Sequence, residues 1–394
     1  MNANILSLSA AQACYWFSVL VGISLSSVIG AELAPTARLA TLPYTLISAS
    51  ALLVTFGLSR FIGRYGWRIV LRGGALAGVA AALLSVWAVL HSNFALFCLA
   101  STLMGIYQAS SAYYRLAALA YAPDAQQGAA VGWVLSGSLA AAFFGPTIAS
   151  ATSHWFATSS YAGPYLLTAV FSVLAIVAIQ CLPADAAKQP AAHKQNEARA
   201  FNRQPLYWLG TLNTAFAQGV MILMMIVAPL SMHHGCHYPV SSGVSVIGWH
   251  IVGMFLPSFF SGKLIDRFGA ASVILAGLGL LLASAFAAIQ GTTLSNYYLS
   301  LFLLGTGWNL VYVAGTWQYN HALQETEKSR AQGQAEFLIA LAAVTGAGFG
   351  GWLHSLFDWQ VLNRGVLIAV LAMAVVNLLS WKFRASVSAN PPAA

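Results

Sequence analysis

Two pairs of soft metal donors stand on consecutive apolar runs of the sequence. Met221 and Met225 form an M-x-x-x-M pair, and His250 and Met254 form an H-x-x-x-M pair. Residues four apart lie on one face of a helix, so each helix would present two donors along one stripe. Thioether and imidazole groups bind copper, and thioethers favour Cu(I). The spacing predicts a ladder of four metal ligands, although methionine also fills gaps in apolar packing.

Both pairs have nearly the same expected depth. Met221 and His250 each stand about ten residues from the polar segment between their two runs, which corresponds to about 15 Å along a helix. That distance is close to the middle of a bilayer core about 30 Å thick. Ionisable groups at this depth are rare and usually functional, so packing alone explains His250 less readily than the methionines.

A second group of donors lies between these two runs. The sequence contains His233, His234, Cys236 and His237 within five residues. Imidazole and thiol groups so close together predict a metal-capture site on the outer side. The alternative is a short polar turn in which histidine has no special role.

The amino-acid composition indicates the kind of fold that must position these residues. Of 394 residues, 59% are hydrophobic and only 7% are charged, whereas soluble domains carry about 25% charged residues. Twelve apolar runs are long enough to cross a bilayer as helices. The sequence therefore predicts an all-α membrane protein with twelve transmembrane helices, whose main partner is the lipid bilayer. No CxxC pair occurs among its four cysteines, so we expect no disulfide framework.

The basic residues indicate orientation. Almost all of the 17 Lys and Arg residues fall on one side of the predicted spans; Arg38 and Arg364 fall on the other, and Arg115 lies within a run. By the positive-inside rule, both termini are cytoplasmic. The net charge of +8 is explained by this topology, so we expect no nucleic-acid partner. The predicted location is a bacterial cytoplasmic (inner) membrane, with the chain crossing it many times.

The two halves of the chain are related. Arg64-Tyr65-Gly66 follows the second run and Arg267-Phe268-Gly269 follows the eighth. Gln127-Gly128 and Gln332-Gly333 open the fifth and eleventh runs at a similar offset of about 200 residues, as a duplicated unit would give. We predict two pseudo-symmetric six-helix bundles, 1–183 and 206–394, joined by a cytoplasmic linker, 184–205.

The predicted loop after the eighth run reads GKLIDRFG, from Gly262 to Gly269. It resembles the major facilitator signature G-x-x-x-D-R-x-G. This resemblance implies a secondary transporter that works by alternating access, in which Asp266 and Arg267, framed by the two glycines, help to lock the cytoplasmic gate. The first-half copy has Gly63 where the Asp is expected.

Within that superfamily, the paired motifs resemble the hallmark of the CcoA-type (CalT family) copper importers. The resemblance implies that Met221, Met225, His250 and Met254 carry copper inward. It also implies that the chain supplies copper for cytochrome oxidase assembly. The same wider family includes riboflavin transporters of the RfnT type, so the alternative cargo is a small organic solute such as riboflavin or a drug. A non-transporting membrane sensor or scaffold is a third interpretation.

Two charged residues could contribute to substrate binding or coupling. Arg115 could hold an anionic substrate or extend to the inner surface, and Glu336, at the start of the eleventh run, could couple protons or stabilise a gate. Trp308 is among the aromatic residues that could line a cavity for a planar solute. The sequence shows no nucleophile with a base, no phosphate loop and no carboxylate pair, so we predict a transporter rather than an enzyme. We expect a monomer without cofactors.

Overall fold

The computed structural model describes residues 3–123, 127–152, 155–156, 159–183, 204–323 and 328–389, and this part of the chain is almost entirely helical. All but the last two residues of the predicted linker 184–205 lie outside it. The described residues form fourteen α-helices: α1 (Ala3–Leu33), α2 (Leu42–Tyr65), α3 (Trp67–Leu90), α4 (Phe94–Ser111), α5 (Tyr114–Tyr121), α6 (Gln127–Thr152), α7 (Ala162–Gln180), α8 (Pro205–Leu230), α9 (Val240–Phe255), α10 (Ser258–Phe268), α11 (Ala270–Ile289), α12 (Leu294–His321), α13 (Lys328–Leu356) and α14 (Trp359–Ala389).

These helices supply the predicted number of spans. Within the described residues, twelve helical segments are long and apolar enough to cross a bilayer. Two of them consist of two α-helices each: α4 and α5 form the segment Phe94–Tyr121, and α9 and α10 form Val240–Phe268. The prediction of twelve transmembrane helices is confirmed.

Large apolar side chains are exposed on many of these helices. Leu53 is 70% exposed, and Ile368 and Leu379 are similarly open. A soluble monomer rarely exposes extended apolar patches. Side chains of this kind are instead suited to lipid, which needs no polar coat around a helix whose backbone groups are already paired.

The helices form two compact units. The first contains α1–α7 together with Leu223–Val252 and Val344–Leu356. The second contains α8 up to Ile222, the chain from Gly253 to Ala343, and α14. Three helices of the second half, α8, α9 and α13, therefore contribute to both units.

In the first unit, segments from the second half of the chain pack directly on the early helices. The Ser27 hydroxyl of α1 donates to the carbonyl of Ile226, with an O···O distance of 3.0 Å. The backbone N–H of Gly351 donates to the hydroxyl of Thr41 at 2.9 Å. A Cβ at Gly248 of α9 would lie only 2.7 Å from the Pro146 ring of α6, so the helices meet where a side chain is missing.

The second unit is held by buried polar contacts between helices. The side-chain amides of Asn213 on α8 and Asn377 on α14 donate to each other, at 2.9 and 2.8 Å. The Tyr207 hydroxyl donates to the carbonyl of Ala331 at 2.9 Å. Each of these groups is paired, as a polar group away from water requires.

The internal repeat is visible in matching helix ends. Gly66 and Gly269 have φ angles of 81° and 79°, and each donates its N–H to the carbonyl four residues earlier, at 2.8 Å. The guanidinium groups of Arg64 and Arg267 lie 5.3 and 5.2 Å from the ring centroids of the next residue. A positive φ is readily adopted only by glycine, which explains why both helices end here.

One expectation about this region was wrong. The signature segment from Gly262 was predicted as a loop, but it belongs to α10, and only Gly269 lies outside the helix. An apolar run ends where charged residues begin, whereas backbone hydrogen bonding continues until a residue such as glycine leaves the helical conformation. Hydropathy therefore placed the boundary about two turns too early.

Candidate functional site

The predicted Met/His ladder lies on two regular helices. Met221 and Met225 belong to α8, and His250 and Met254 to α9, so the four-residue spacing places each pair on one helix face as expected. All four side chains are buried, and none is more than 5% exposed. Met225 and His250 fall in the first unit, Met221 and Met254 in the second. Copper binding by these residues remains a prediction.

The α9 stripe ends at a break in the helix. Pro257 separates α9 from α10 and has no N–H to donate. Asn309 of α12 contacts this break, because its side-chain amide donates to the carbonyl of Met254 at 2.7 Å and lies 2.6 Å from the Ser258 hydroxyl. Interrupted helices often mark the substrate region of transporters. Sequence analysis missed Asn309, although an amide within an apolar run is a usable signal.

An aromatic and amide patch lies on α8 and α12 of the second unit. The indole N–H of Trp308 donates to the side-chain carbonyl of Gln218 at 2.9 Å. The rings of Trp308 and Tyr312 are tilted by 35°, with centroids 4.7 Å apart. All three side chains are half-buried. The patch offers aromatic faces beside an amide, which suits a planar solute with polar edges.

The predicted metal-capture group is brought together only in part. His233 and His234 lie in a tight turn after α8, and they meet Glu32 at the end of α1. One possible ligand atom from each of these three residues lies within 4.8 Å of the other two. Cys236 and His237 do not belong to this group, which is the one found among the described residues. Glu32 was missed because its contact with the histidines is entirely tertiary.

Hydrogen bonds fix the shape of this group. The Nδ1 atom of His233 lies 3.1 Å from the carbonyl oxygen of Tyr238, and its Nε2 atom lies 3.7 Å from the Glu32 carboxylate. The Tyr161 hydroxyl donates a hydrogen bond to that carboxylate. Burial, and then the hydrogen bond to and charge of Glu32, raise the pKa of Tyr161. The phenol therefore remains a donor.

The residues predicted to gate or couple transport are exposed. Asp266 and Arg267 lie at the end of α10, with Gly262 one turn earlier. Arg115 is exposed on the short helix α5. Glu336 is exposed on α13, where its carboxylate accepts a hydrogen bond from the Tyr319 hydroxyl at 3.4 Å. Their roles remain predictions.

Twelve apolar helices, a duplicated helix end and the G-x-x-x-D-R-x-G segment indicate a multi-pass membrane transporter. The sequence matches the Major Facilitator Superfamily over residues 7–323 and 246–393, and the chain belongs to this family.

Several known proteins are similar over almost the whole chain. The riboflavin transporter RfnT of Brucella anthropi is 30% identical over 380 residues, which cover 95% of each chain. The uncharacterized transporter YddS of Bacillus subtilis is 27% identical over 92% of this chain and 87% of its own. The crystal structure of the nucleoside transporter NupG superposes with a TM-score of 0.74 at 14% identity, covering 97% and 100% of the two chains. The last similarity establishes the fold alone.

Proposed function

We propose that the chain transports a planar organic solute of the flavin type across a bacterial cytoplasmic membrane, with both termini in the cytoplasm. The observation that carries this proposal is the 30% identity to a riboflavin transporter over 95% of both chains. Because the match covers almost the whole length, it includes the helices that would surround a solute.

The patch on α8 and α12 supports this class of substrate. A flavin ring presents two aromatic faces, and its edge carries hydrogen-bond donors and acceptors. Trp308 and Tyr312 can pack on such a face, and Gln218 has both a donor and an acceptor on one amide. We assign solute binding to these three side chains.

Alternating access provides the mechanism. In this superfamily two repeats move against each other around a site near the midplane. The break between α9 and α10, stabilised by Asn309, is a place where the second half can bend. Asp266 and Arg267 would hold the cytoplasmic end, and the exposed Arg115 and Glu336 would take part in coupling.

Riboflavin uptake tests the proposal directly. Cells that lack their own riboflavin uptake should accumulate labelled riboflavin when they express this chain. Trp308→Ala should lower uptake about fivefold at limiting solute, because aromatic stacking contributes about 1 kcal/mol. Trp317→Ala is the matched control, since Trp317 lies on the same helix but stacks on His321. Uptake no higher than in cells with empty vector would contradict the proposal.

Copper import is the second candidate, favoured by the four soft donors on α8 and α9. It predicts that the chain raises cellular copper and that Met221→Ala and His250→Ala abolish this increase while riboflavin uptake persists. Loss of cytochrome oxidase activity in the same variants would strengthen it. Copper content that does not depend on the chain would rule it out.

A further inference from the structure

We propose that Glu32, His233 and His234 form a binding site for a divalent transition-metal ion such as Zn²⁺, and that the bound ion inhibits transport by tying α1 to the turn after α8. This site shares no residue with the solute patch or with the Met/His ladder. Its ligands are imidazole and carboxylate, which suit zinc and Cu(II), rather than the thioethers that favour Cu(I).

The distances are close to those of a loaded site. Zinc binds nitrogen and oxygen at about 2.0–2.2 Å, so two ligand atoms of one tetrahedral ion are about 3.3 Å apart. The Nε2 atom of His233 and the Glu32 carboxylate oxygen are already 3.7 Å apart. The whole group spans at most 4.8 Å. Small rotations of partly exposed side chains, 29% for His233 and 38% for Glu32, would close the difference.

The ring nitrogens are arranged as metal ligands require. A backbone carbonyl can only accept, so Nδ1 of His233 donates to Tyr238 and leaves the Nε2 lone pair facing the Glu32 carboxylate at 3.7 Å and the Tyr161 hydroxyl at 3.5 Å. Likewise Nε2 of His234 lies 3.4 Å from the carbonyl of Val28, which leaves its Nδ1 as the ligand atom. Metal-binding histidines commonly anchor their second nitrogen in this way.

A cation is the natural occupant between these groups. The Nε2 atom of His233 and the carboxylate of Glu32 face each other. A metal ion placed between them would accept a lone pair from each. Tyr161 already donates to the carboxylate and orients it, and the carboxylate keeps further lone pairs for an ion.

The position of the site determines its effect. Within the first unit, α1 is hydrogen-bonded to the Leu223–Val252 segment through Ser27 and Ile226. Alternating access requires the two halves of the chain to part at one side in each cycle. An ion bound to Glu32 on α1 and to both histidines would hold this contact together, so the cycle would stop.

Zinc binding to the purified chain provides the first test. The full-length protein is prepared with a tag that contains no histidine, and equilibrium dialysis with ⁶⁵Zn²⁺ should give one saturable site per chain. Glu32→Gln and His234→Ala should each weaken binding at least about tenfold. His237→Ala and Cys236→Ser are matched controls from the same turn and should bind as the wild type does.

Two further assays measure the effect of bound Zn²⁺ on thermal stability and on transport. Zn²⁺ should raise the thermal unfolding temperature of the wild type and of His237→Ala, but not of Glu32→Gln, because an ion stabilises only the folded state that binds it. In proteoliposomes Zn²⁺ should inhibit riboflavin uptake by the wild type and spare Glu32→Gln. The first two assays need no transported solute, so they remain valid if the riboflavin assignment fails.

Three results would overturn the proposal. The first is no saturable ⁶⁵Zn²⁺ binding up to about 1 mM, the weakest affinity worth calling a site. The second is binding that survives Glu32→Gln and is lost in His237→Ala or Cys236→Ser, which would place the ion on the turn alone. The third is tight binding at Glu32 without any inhibition of active uptake.

Discussion

Two groups of metal-type donors differ in how they are built. The Met/His ladder is assembled within helices, where a four-residue spacing brings Met221 near Met225 and His250 near Met254. The Glu32–His233–His234 group is assembled between α1 and the turn after α8. The ladder is buried, whereas Glu32 and the two histidines are partly open to the surroundings.

This difference shows that donor type alone does not define a metal site. Buried methionines on one helix face satisfy a motif and satisfy packing equally well. An exposed group with fixed ring nitrogens and a carboxylate has no packing role of comparable size, and an ion can approach it from water. Substitutions in the two groups should therefore affect different properties of the protein.

The largest effect is expected at the buried ladder. Met225→Ala should lower the free energy of unfolding by about 2–5 kcal/mol, because it leaves a cavity in packed surroundings. Met225→Leu keeps the volume and should change it by less than about 1.5 kcal/mol. Denaturation of both variants in detergent, monitored by circular dichroism, measures the difference in unfolding free energy.

A Met225→Ala variant as stable as the wild type would contradict the packing role of the buried ladder. That result would mean that the side chain faces a space that is already open, as a copper pathway requires. An unstable Met225→Ala together with a stable, copper-inactive Met225→Leu would give the thioether a function beyond packing.

Much of the fold followed from the sequence because membrane helices are encoded locally. The length and apolarity of each run fix a span, and repeated glycines such as Gly66 and Gly269 mark equivalent helix ends. The break between α9 and α10 was less visible. It depends on Pro257 together with Asn309, a residue on a different helix.

The candidate sites were predictable only where they are local. The sequence pointed to His233 and His234, but not to Glu32, because nothing in a single sequence shows which acid lies opposite them. The sequence also pointed to Trp308 but not to Gln218, because the role of Gln218 depends on the packing of α8 against α12. Both residues are identified by contacts between helices, and the hydrophobic periodicity of a sequence does not show which residues make such contacts.

A smaller effect is expected from Tyr161, which supports the exposed group without being a ligand. Tyr161→Phe removes the hydrogen bond that orients Glu32, and zinc affinity should fall about tenfold, the lower range for losing a partner of a metal ligand. Equilibrium dialysis measures the change, with Tyr238→Phe as control, since Tyr238 contributes its backbone carbonyl. Unchanged affinity would show that the phenol does not hold the carboxylate in place.

The smallest effect is expected for the stability of Glu32→Gln without metal. Its unfolding free energy should stay within about 0.5 kcal/mol of the wild type, as is usual for a surface substitution. The glutamine carbonyl can still accept the hydrogen bond from Tyr161, so only the charge is lost. The measurement is the same denaturation experiment used for Met225→Ala, in the presence of a chelator. A loss larger than about 1 kcal/mol would make Glu32 a structural residue, and its partial exposure would then no longer separate the two groups.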